Sequence, residues 1–308
     1  MTIAADAVHL ASMNRKLQIV KARVRLVGDG FHTGFYLYGE GGTSKSFTVQ
    51  ETLHESKCPY KLTNTFLTPK GLFTLLRDSP NIVHVIEDAE KLFTNDTSHG
   101  LLRSALWGQD GQGARKPRLV TWHTSLLRDE FDFTSGIIFL ANRRLPNVPA
   151  LRAVESRIAC LHFQTTDAEV AALMRNIALK GYRHGPHTLS SESCGEVVEA
   201  IIEISARLGR KPNLRLLELT YNERLHYENK GSETHWLDLL ESRIQGLAPV
   251  GGSSVIGEQK MNELGLLRQV AGRPRQEQLD AWKSVVGKSL ATFYRRLGEL
   301  NGEDSHSQ

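Results

Sequence analysis

The residues best suited to chemistry form a glycine-rich run near the start of the chain, Gly39-Glu40-Gly41-Gly42-Thr43-Ser44-Lys45-Ser46. It follows an apolar segment, 34–38, and precedes a segment without glycine or proline, 45–55, which predicts strand, loop and helix in that order. The backbone N–H groups of such a loop, with the helix N-terminus, can surround phosphates. We expect Lys45 to bind the outer phosphates and Ser46 to bind Mg²⁺. Ser44 stands where this pattern normally has glycine, and the alternative is a turn that binds nothing.

Two carboxylates follow the β-branched apolar run 81–86, namely Glu87 and Asp88. Carboxylates at the tip of a buried strand are costly unless a cation or a reaction uses them. Beside a phosphate loop, we expect Glu87 to take the magnesium side and Asp88 to orient and deprotonate an attacking water. The alternative is a solvated helix start, which acidic residues also favour.

Together these motifs resemble those of the AAA+ ATPase superfamily. GEGGTSKS is similar to its Walker A motif and IVHVIED to its Walker B motif, although the usual acidic order there is Asp-Glu. GIIFLAN resembles the sensor-1 strand, which implies that Asn142 lies between the acidic pair and the γ-phosphate. ESRI resembles the motif whose arginine, here Arg157 with Arg152 as its rival, enters the ATP site of a neighbouring subunit. PNLR resembles sensor 2, so that Arg215 would reach the phosphates.

Each of these resemblances has a simpler alternative. Asn142 could be a turn residue and Arg157 a surface arginine, and the sensor-2 motif is short. If the resemblance holds, it implies a homo-oligomer, ring or filament, that binds ATP with Mg²⁺ and hydrolyses it where two subunits meet.

Strand-like and helix-like segments alternate up to residue 163, which predicts an α/β fold with a parallel sheet and helices on both faces. The strand candidates are 34–38, 63–67, 81–86, 117–124, 132–140 and 157–163, and the helical ones between them are 45–55, 70–76 and 101–107. The resemblance implies a P-loop nucleotide-binding domain over 1–165. A mainly helical pattern, broken at 181–193, predicts a lid domain over 166–245. Residues 246–259 have a linker composition, an all-α segment follows over 260–302, and 303–308 form a polar tail.

The all-α segment carries a helix-turn-helix pattern. Apolar residues form an inner face on each of two helices: Leu279, Trp282 and Val286 on the first, and Leu290, Phe293, Tyr294 and Leu297 on the second. The residues expected at DNA are Lys288, Ser289, Thr292, Arg295 and Arg296. The alternative is a helical hairpin that binds a protein partner or another subunit.

Composition narrows the class of protein further. The net charge is +4, no apolar run approaches the roughly 20 residues that cross a bilayer, and three cysteines stand far apart. The sequence therefore predicts a cytoplasmic protein without a membrane partner. Its layout is closest to ATPases that initiate replication, load helicases or select transposition targets. The rivals are a protein-remodelling ATPase and a slow nucleotide switch that assembles with ATP.

Overall fold

The computed structural model describes residues 3–107, 115–123, 128–246, 263, 266–267, 270–271, 273–286, 293–294 and 297. The helices are α1 (Ile3–Gly28), α2 (Lys45–Glu55), α3 (Pro69–Asp78), α4 (Asp96–Ala105), α5 (Pro149–Glu155), α6 (Asp167–Ala178), α7 (Ser191–Arg207), α8 (Leu214–Glu228), α9 (Trp236–Gly246) and α10 (Arg275–Val285). The strands are β1 (Gly34–Tyr38), β2 (Tyr60–Thr63), β3 (Val83–Glu87), β4 (Arg118–His123), β5 (Arg128–Phe133), β6 (Ile137–Ala141), β7 (Ala159–His162), β8 (Tyr182–His184) and β9 (His187–Leu189). A 3₁₀ helix, Ala89–Thr94, follows β3.

The chain divides into two compact units. The first comprises Met1–Ala206 and Lys211–Leu240, and the second comprises Arg207–Arg210 and Glu241–Gln308. Among the described residues, none of the helices combines the length and the apolar character needed to cross a membrane. The three cysteines, all of them described, are free thiols.

A five-stranded sheet in the order β2-β3-β6-β1-β7 forms the centre of the first unit, and every neighbouring pair in it is parallel. Successive side chains of a strand point to opposite faces. Phe35 and Leu37 of β1 therefore pack against α1 and α2, whereas Tyr36 packs against α3, α4 and α5. This arrangement confirms the predicted α/β class with helices on both faces.

The strand order determines which loops meet. In a parallel sheet the carboxyl ends of all strands lie at one edge, so the segments after β1, β3 and β6 meet there. Because β6 lies between β1 and β3, the segment after β6 lies between the other two. The residues just before β7 lie at the opposite, amino edge.

Two of the predicted strands were placed wrongly. The apolar run 132–140 is two strands rather than one, because a Thr-Ser-Gly turn separates β5 from β6. β5 is not part of the parallel sheet; it pairs antiparallel with β4, with Arg118 opposite Phe133. The strand expected at 63–67 lies earlier in the chain, as β2. Within the mainly helical region, the break predicted at 181–193 contains a small hairpin, β8–β9.

Helix α1 packs along the first helix of the predicted lid, α6. Thr166 and Glu169 form a capping box at the start of α6, and the Glu169 carboxylate also accepts from Lys16 Nζ at 2.7 Å and from Ser12 Oγ at 2.6 Å. Burial by itself raises the pKa of Glu169, but these hydrogen bonds outweigh it and lower that pKa to about 2. The carboxylate is therefore ionised at neutral pH and ties the two helices together.

In the second unit, the described residues form a small apolar cluster around Trp282 and Phe293, whose rings meet edge to face at a centroid distance of 5.5 Å. Leu279, Val286 and Leu297 pack against it, as predicted for the inner faces. Tyr294 is 54% exposed, so its assignment to the inner face was wrong. It follows Phe293 directly, and on a helix adjacent residues do not share a face.

Candidate functional site

The glycine-rich loop joins β1 to α2, as the sequence predicts. Two of its glycines are required by close approach: a Cβ at Gly39 would collide with the carbonyl oxygen of Phe163, and one at Gly42 with the Asn213 side chain. Gly41 has more room. A Cβ there would find only Asn142 Oδ1 and an Arg215 nitrogen, each at 3.9 Å. The open side of the loop thus faces both of those predicted site residues.

Helix α2 begins directly after Ser44, whose φ of 71° is left-handed. Most L-residues avoid this region, and glycine adopts it freely. The Ser44 hydroxyl is buried and has no hydrogen-bond partner within the described part of the chain. Thr43 Oγ1 donates to the Glu40 carbonyl at 2.9 Å, which tightens the turn, and Ser46 lies half-buried in the first turn of α2.

Lys45 is buried against its own loop. Its ammonium donates to the carbonyl oxygens of Gly39 at 2.7 Å and Glu40 at 2.6 Å. Burial, with the positive charge of Arg215, lowers the pKa of Lys45 to about 8, although nearby carboxylates oppose the shift. A cation that is poorly solvated and bonded only to neutral carbonyls is well suited to exchange those bonds for anionic oxygens.

The acidic pair lies where β3 ends. Glu87 is half-buried and pairs in register with Leu140 of β6, while Asp88 is exposed and left-handed, with a φ of 48°. Asn142 Nδ2 lies 3.5 Å from Asp88 Oδ1, at the outer limit of a hydrogen bond. A cavity of about 500 Å³ opens in front of these groups, and its lining includes Phe66, Glu87, Asp88, Glu90, Asn142 and Arg143.

Glu90 is a third carboxylate at this edge, and the sequence analysis missed it. Its Oε1 accepts the backbone N–H of Asn142 at 2.6 Å. Among the carboxylates that raise the pKa of Lys45, its effect is the largest. The sequence signal was its position two residues after Asp88, which a search limited to an adjacent acidic pair overlooks.

The segment before α8 contacts the loop. Lys211 Nζ pairs with Glu40 Oε1 at 2.6 Å, and Leu214 N donates to the Gly42 carbonyl at 3.0 Å. Asn213 caps α8 by accepting from Arg215 N at 2.8 Å. Lys211 and Asn213 were not predicted as site residues, because their contacts join positions about 170 residues apart in sequence.

Arg157 lies at the amino edge of the sheet, away from its own loop. Its guanidinium stacks over the Trp107 ring at 4.9 Å and donates to the Ala153 carbonyl, and its own carbonyl lies 3.5 Å from Thr33 Oγ1. Thr33 precedes β1, whereas the loop follows β1. The rival Arg152 is exposed on α5. The structure therefore does not bring Arg157 to the loop of the same chain.

The residues expected at DNA, Lys288, Ser289, Thr292, Arg295 and Arg296, lie outside the described residues, as does Leu290. Within the described ranges, no group of three or more His, Cys, Asp or Glu side chains is arranged to hold a metal ion. That finding does not bear on the predicted Mg²⁺, which is usually held by one or two protein oxygens together with phosphates and water.

The groups at the loop edge fit a magnesium-bound nucleotide. The loop offers backbone N–H groups at a helix start, the Lys45 ammonium, the Ser46 hydroxyl and, across the gap, carboxylates. Comparisons with known proteins add no family: no protein-family model and no curated protein matches this chain. The parallel five-stranded sheet with flanking helices is compatible with a P-loop type of α/β fold.

Proposed function

We propose that this chain is an ATP-hydrolysing enzyme of the AAA+ type that assembles into a ring or filament and acts on DNA. The observation that carries the proposal is the meeting of Lys45, Asp88, Asn142 and Arg215 at one edge of the sheet. Two cations, one carboxylate and one amide around a glycine-rich loop match the needs of phosphoryl transfer to water.

Binding begins at the loop. Its backbone N–H groups and the N-terminus of α2 receive the phosphates, and the Lys45 ammonium exchanges the Gly39 and Glu40 carbonyls for β- and γ-phosphate oxygens. Arg215 adds positive charge from the lid side. Ser46 and Glu87 would hold Mg²⁺, which when bound neutralises charge on the phosphates.

The chemical step transfers the γ-phosphoryl group to water. Asp88 accepts the proton of the attacking water while Asn142 holds that water and the γ-phosphate in line. A bond forms between the water oxygen and the γ-phosphorus, and the bond from the γ-phosphorus to its bridging oxygen breaks. ADP and inorganic phosphate are the products, with the proton first on Asp88.

The reaction also requires a cation that stabilises the negative charge on the phosphoryl group during its transfer. Arg157 lies at the far edge of its own sheet, so it can serve only the site of another copy. This is why the proposal includes an oligomer, with Arg152 as the alternative donor. A nucleotide-binding domain over 1–165, a lid over 166–245 and, after the linker 246–259, a DNA-binding segment over 260–302 complete the proposed organisation.

Replacing the loop lysine tests the ATPase. Lys45→Ala should abolish turnover and weaken ATP binding, because the loop has no other ammonium for the phosphates. The matched control is Lys70→Ala, which removes an exposed lysine from α3. Fluorescent-nucleotide titration and phosphate release measure the two effects. Unchanged ATP affinity and turnover in Lys45→Ala would rule out the loop as a phosphate site.

The slow-switch rival makes a different prediction for the parent protein. It requires ATP-dependent assembly with turnover that stays low whether or not DNA is added. Measuring assembly by light scattering alongside phosphate release, with and without duplex DNA, distinguishes it from an active DNA-dependent ATPase.

The DNA-binding part rests on the sequence pattern of the C-terminal segment. Arg295→Ala with Arg296→Ala should weaken binding to all sequences and lower the salt slope of log K by about one unit per lost phosphate contact. Arg23→Ala with Arg103→Ala, two exposed arginines of the first unit, is the control pair. If the C-terminal double variant binds DNA like the parent but loses assembly or a protein partner, the remodelling rival is favoured.

A further inference from the structure

The peptide group that joins Ala141, the last residue of β6, to Asn142 is hydrogen-bonded through both its carbonyl and its N–H. The Ala141 carbonyl accepts the N–H of Gly39 at 3.2 Å, and the N–H of Asn142, in the same peptide, donates to Glu90 Oε1 at 2.6 Å. Gly39 begins the phosphate loop and Glu90 follows the acidic pair. The peptide plane before Asn142 is therefore held by the phosphate loop on one side and by the turn after the acidic pair on the other.

Glu90 lies on a turn whose apolar residues are buried. It lies in the 3₁₀ helix after β3, between Ala89 and Leu92, which are 1% and 3% exposed. Phe93 anchors the same turn, because its ring packs edge to face on Tyr36 at 5.4 Å and on Phe139 at 5.2 Å. A carboxylate mounted on such a turn can fix the position of what it binds.

The residue after Asn142 is held as well. Tyr36 Oη donates to the carbonyl oxygen of Arg143 at 2.8 Å. The backbone on both sides of Asn142 is thus restrained. Its side chain lies between Asp88, whose Oδ1 is 3.5 Å from Nδ2, and Gly41, where an added Cβ would lie 3.9 Å from Oδ1. A small rotation of this backbone would move the amide out of that gap.

We propose that Glu90 is a positioning residue, which holds the backbone of Asn142 so that its amide stays between the phosphate loop and Asp88. The inference rests on the proposed ATPase function. It differs from a role as general base, because it requires an acceptor oxygen at Glu90 and no proton transfer.

Two substitutions separate these roles. Glu90→Gln retains an acceptor oxygen and removes the charge, whereas Glu90→Ala removes both. We expect Glu90→Ala to lower kcat by about 10- to 100-fold, the usual loss when a supporting group is removed, with little change in KM for ATP. Glu90→Gln should lose several-fold less. Glu130→Ala, an exposed carboxylate of the β4–β5 hairpin, is the matched control.

A second readout needs no turnover. With [¹⁵N]asparagine labelling, the backbone amide proton of Asn142, assigned by its loss in Asn142→Ser, should resonate further upfield in Glu90→Ala than in the parent, because its hydrogen bond is lost. Glu90→Gln, which retains an acceptor oxygen, should shift the resonance less.

The outcomes separate the two proposals. An unaltered Asn142 resonance in Glu90→Ala, or parent-like kcat in that variant, overturns the positioning role. Equal and large losses in Glu90→Gln and Glu90→Ala overturn it in favour of a general base. A parent that neither binds nor hydrolyses ATP overturns the proposed function instead, and the Asn142 amide resonance still decides whether Glu90 holds Asn142.

Discussion

The two edges of the parallel sheet differ in the partners that their charged side chains contact. At the carboxyl edge, Lys45 is bonded only to loop carbonyls, and carboxylates surround a cavity of about 500 Å³. At the amino edge, Arg157 is stacked on Trp107 and donates to a carbonyl of the preceding helix, α5. The six residue steps from Thr33 to Gly39 separate the edges by roughly 20 Å at the usual strand rise.

This difference indicates how a complete site can form. The carboxyl edge has groups for phosphates and water, and Arg143 also lines its cavity. The amino edge has Arg157 but no phosphate loop. A second copy that brings its amino edge to the first copy's loop would add the guanidinium of Arg157, and each prediction below tests one side of that complementarity.

The largest effect is expected at the amino edge. Arg157→Ala should lower turnover by about 10³-fold or more, because a guanidinium that stabilises the transferring phosphoryl contributes that much. ATP affinity should change little, since the residue is remote from its own loop. Phosphate release and nucleotide titration measure the two effects.

Mixing decides whether Arg157 acts between copies. Arg157→Ala combined with Lys45→Ala should recover part of the activity, because some interfaces pair an intact loop with an intact arginine. Arg152→Ala is the control. If Arg152→Ala shows the loss and the rescue while Arg157→Ala shows neither, the roles of the two arginines are exchanged.

The acidic pair should show the next largest effect. Asp88→Asn keeps the side-chain shape but cannot accept a proton, so turnover should fall by about 10²- to 10⁴-fold with Mg-ATP binding retained. Glu87→Gln should instead weaken magnesium-dependent binding. Titrations with and without Mg²⁺, beside turnover, distinguish the variants. Reversed phenotypes would assign the magnesium role to Asp88.

A pH dependence should distinguish the buried lysine from the exposed arginines. With a pKa of about 8, Lys45 loses its charge across the range in which phosphates stay ionised, so ATP affinity should fall by about tenfold between pH 7 and 9. Lys45→Arg, which stays charged, should bind more weakly but without this decline. A flat profile in the parent would contradict a low pKa for Lys45.

The lowered pKa of Lys45 also affects stability. Raising the pH should weaken ATP binding but strengthen the folded state. The pKa of Lys45 is lower in the folded chain than its ordinary 10.5, so the unfolded chain holds more protons between about pH 8 and 10.5. The contribution of Lys45 to the free energy of unfolding should therefore rise with pH across that window. Denaturant titrations of parent and Lys45→Arg, compared at both ends of the window, measure it.

The smallest effect concerns the loop backbone. Ser44→Gly should raise the free energy of unfolding by about 1 kcal/mol or less, because glycine relieves the left-handed strain but gains entropy in the unfolded chain. This corresponds to about 2 °C in Tm. Ser44→Ala keeps the Cβ and removes the buried hydroxyl. If Ser44→Ala stabilises as much as Ser44→Gly, the hydroxyl and not the backbone is the source of strain.

Much of the local structure could be read from the sequence. Strand β1, the glycine loop and helix α2 begin and end where the pattern predicts, because each depends on neighbouring residues: an apolar run, glycines, and a stretch without helix breakers. The α/β class followed for the same reason, since strands alternate with helices along the chain. The wrong boundaries, at β2 and between β5 and β6, lie where a partner strand decides the end.

Tertiary structure alone decided what surrounds the loop. That β6 lies between β1 and β3 brings Asn142 beside Asp88, and the approach of the lid segment brings Lys211 and Asn213 to the loop. Glu90 acquired a partner only when the turn after β3 packed on Tyr36 and Phe139. Residue type and spacing report on neighbours in sequence, whereas these contacts join segments 52 to 171 residues apart, and only the packing of the whole core selects them.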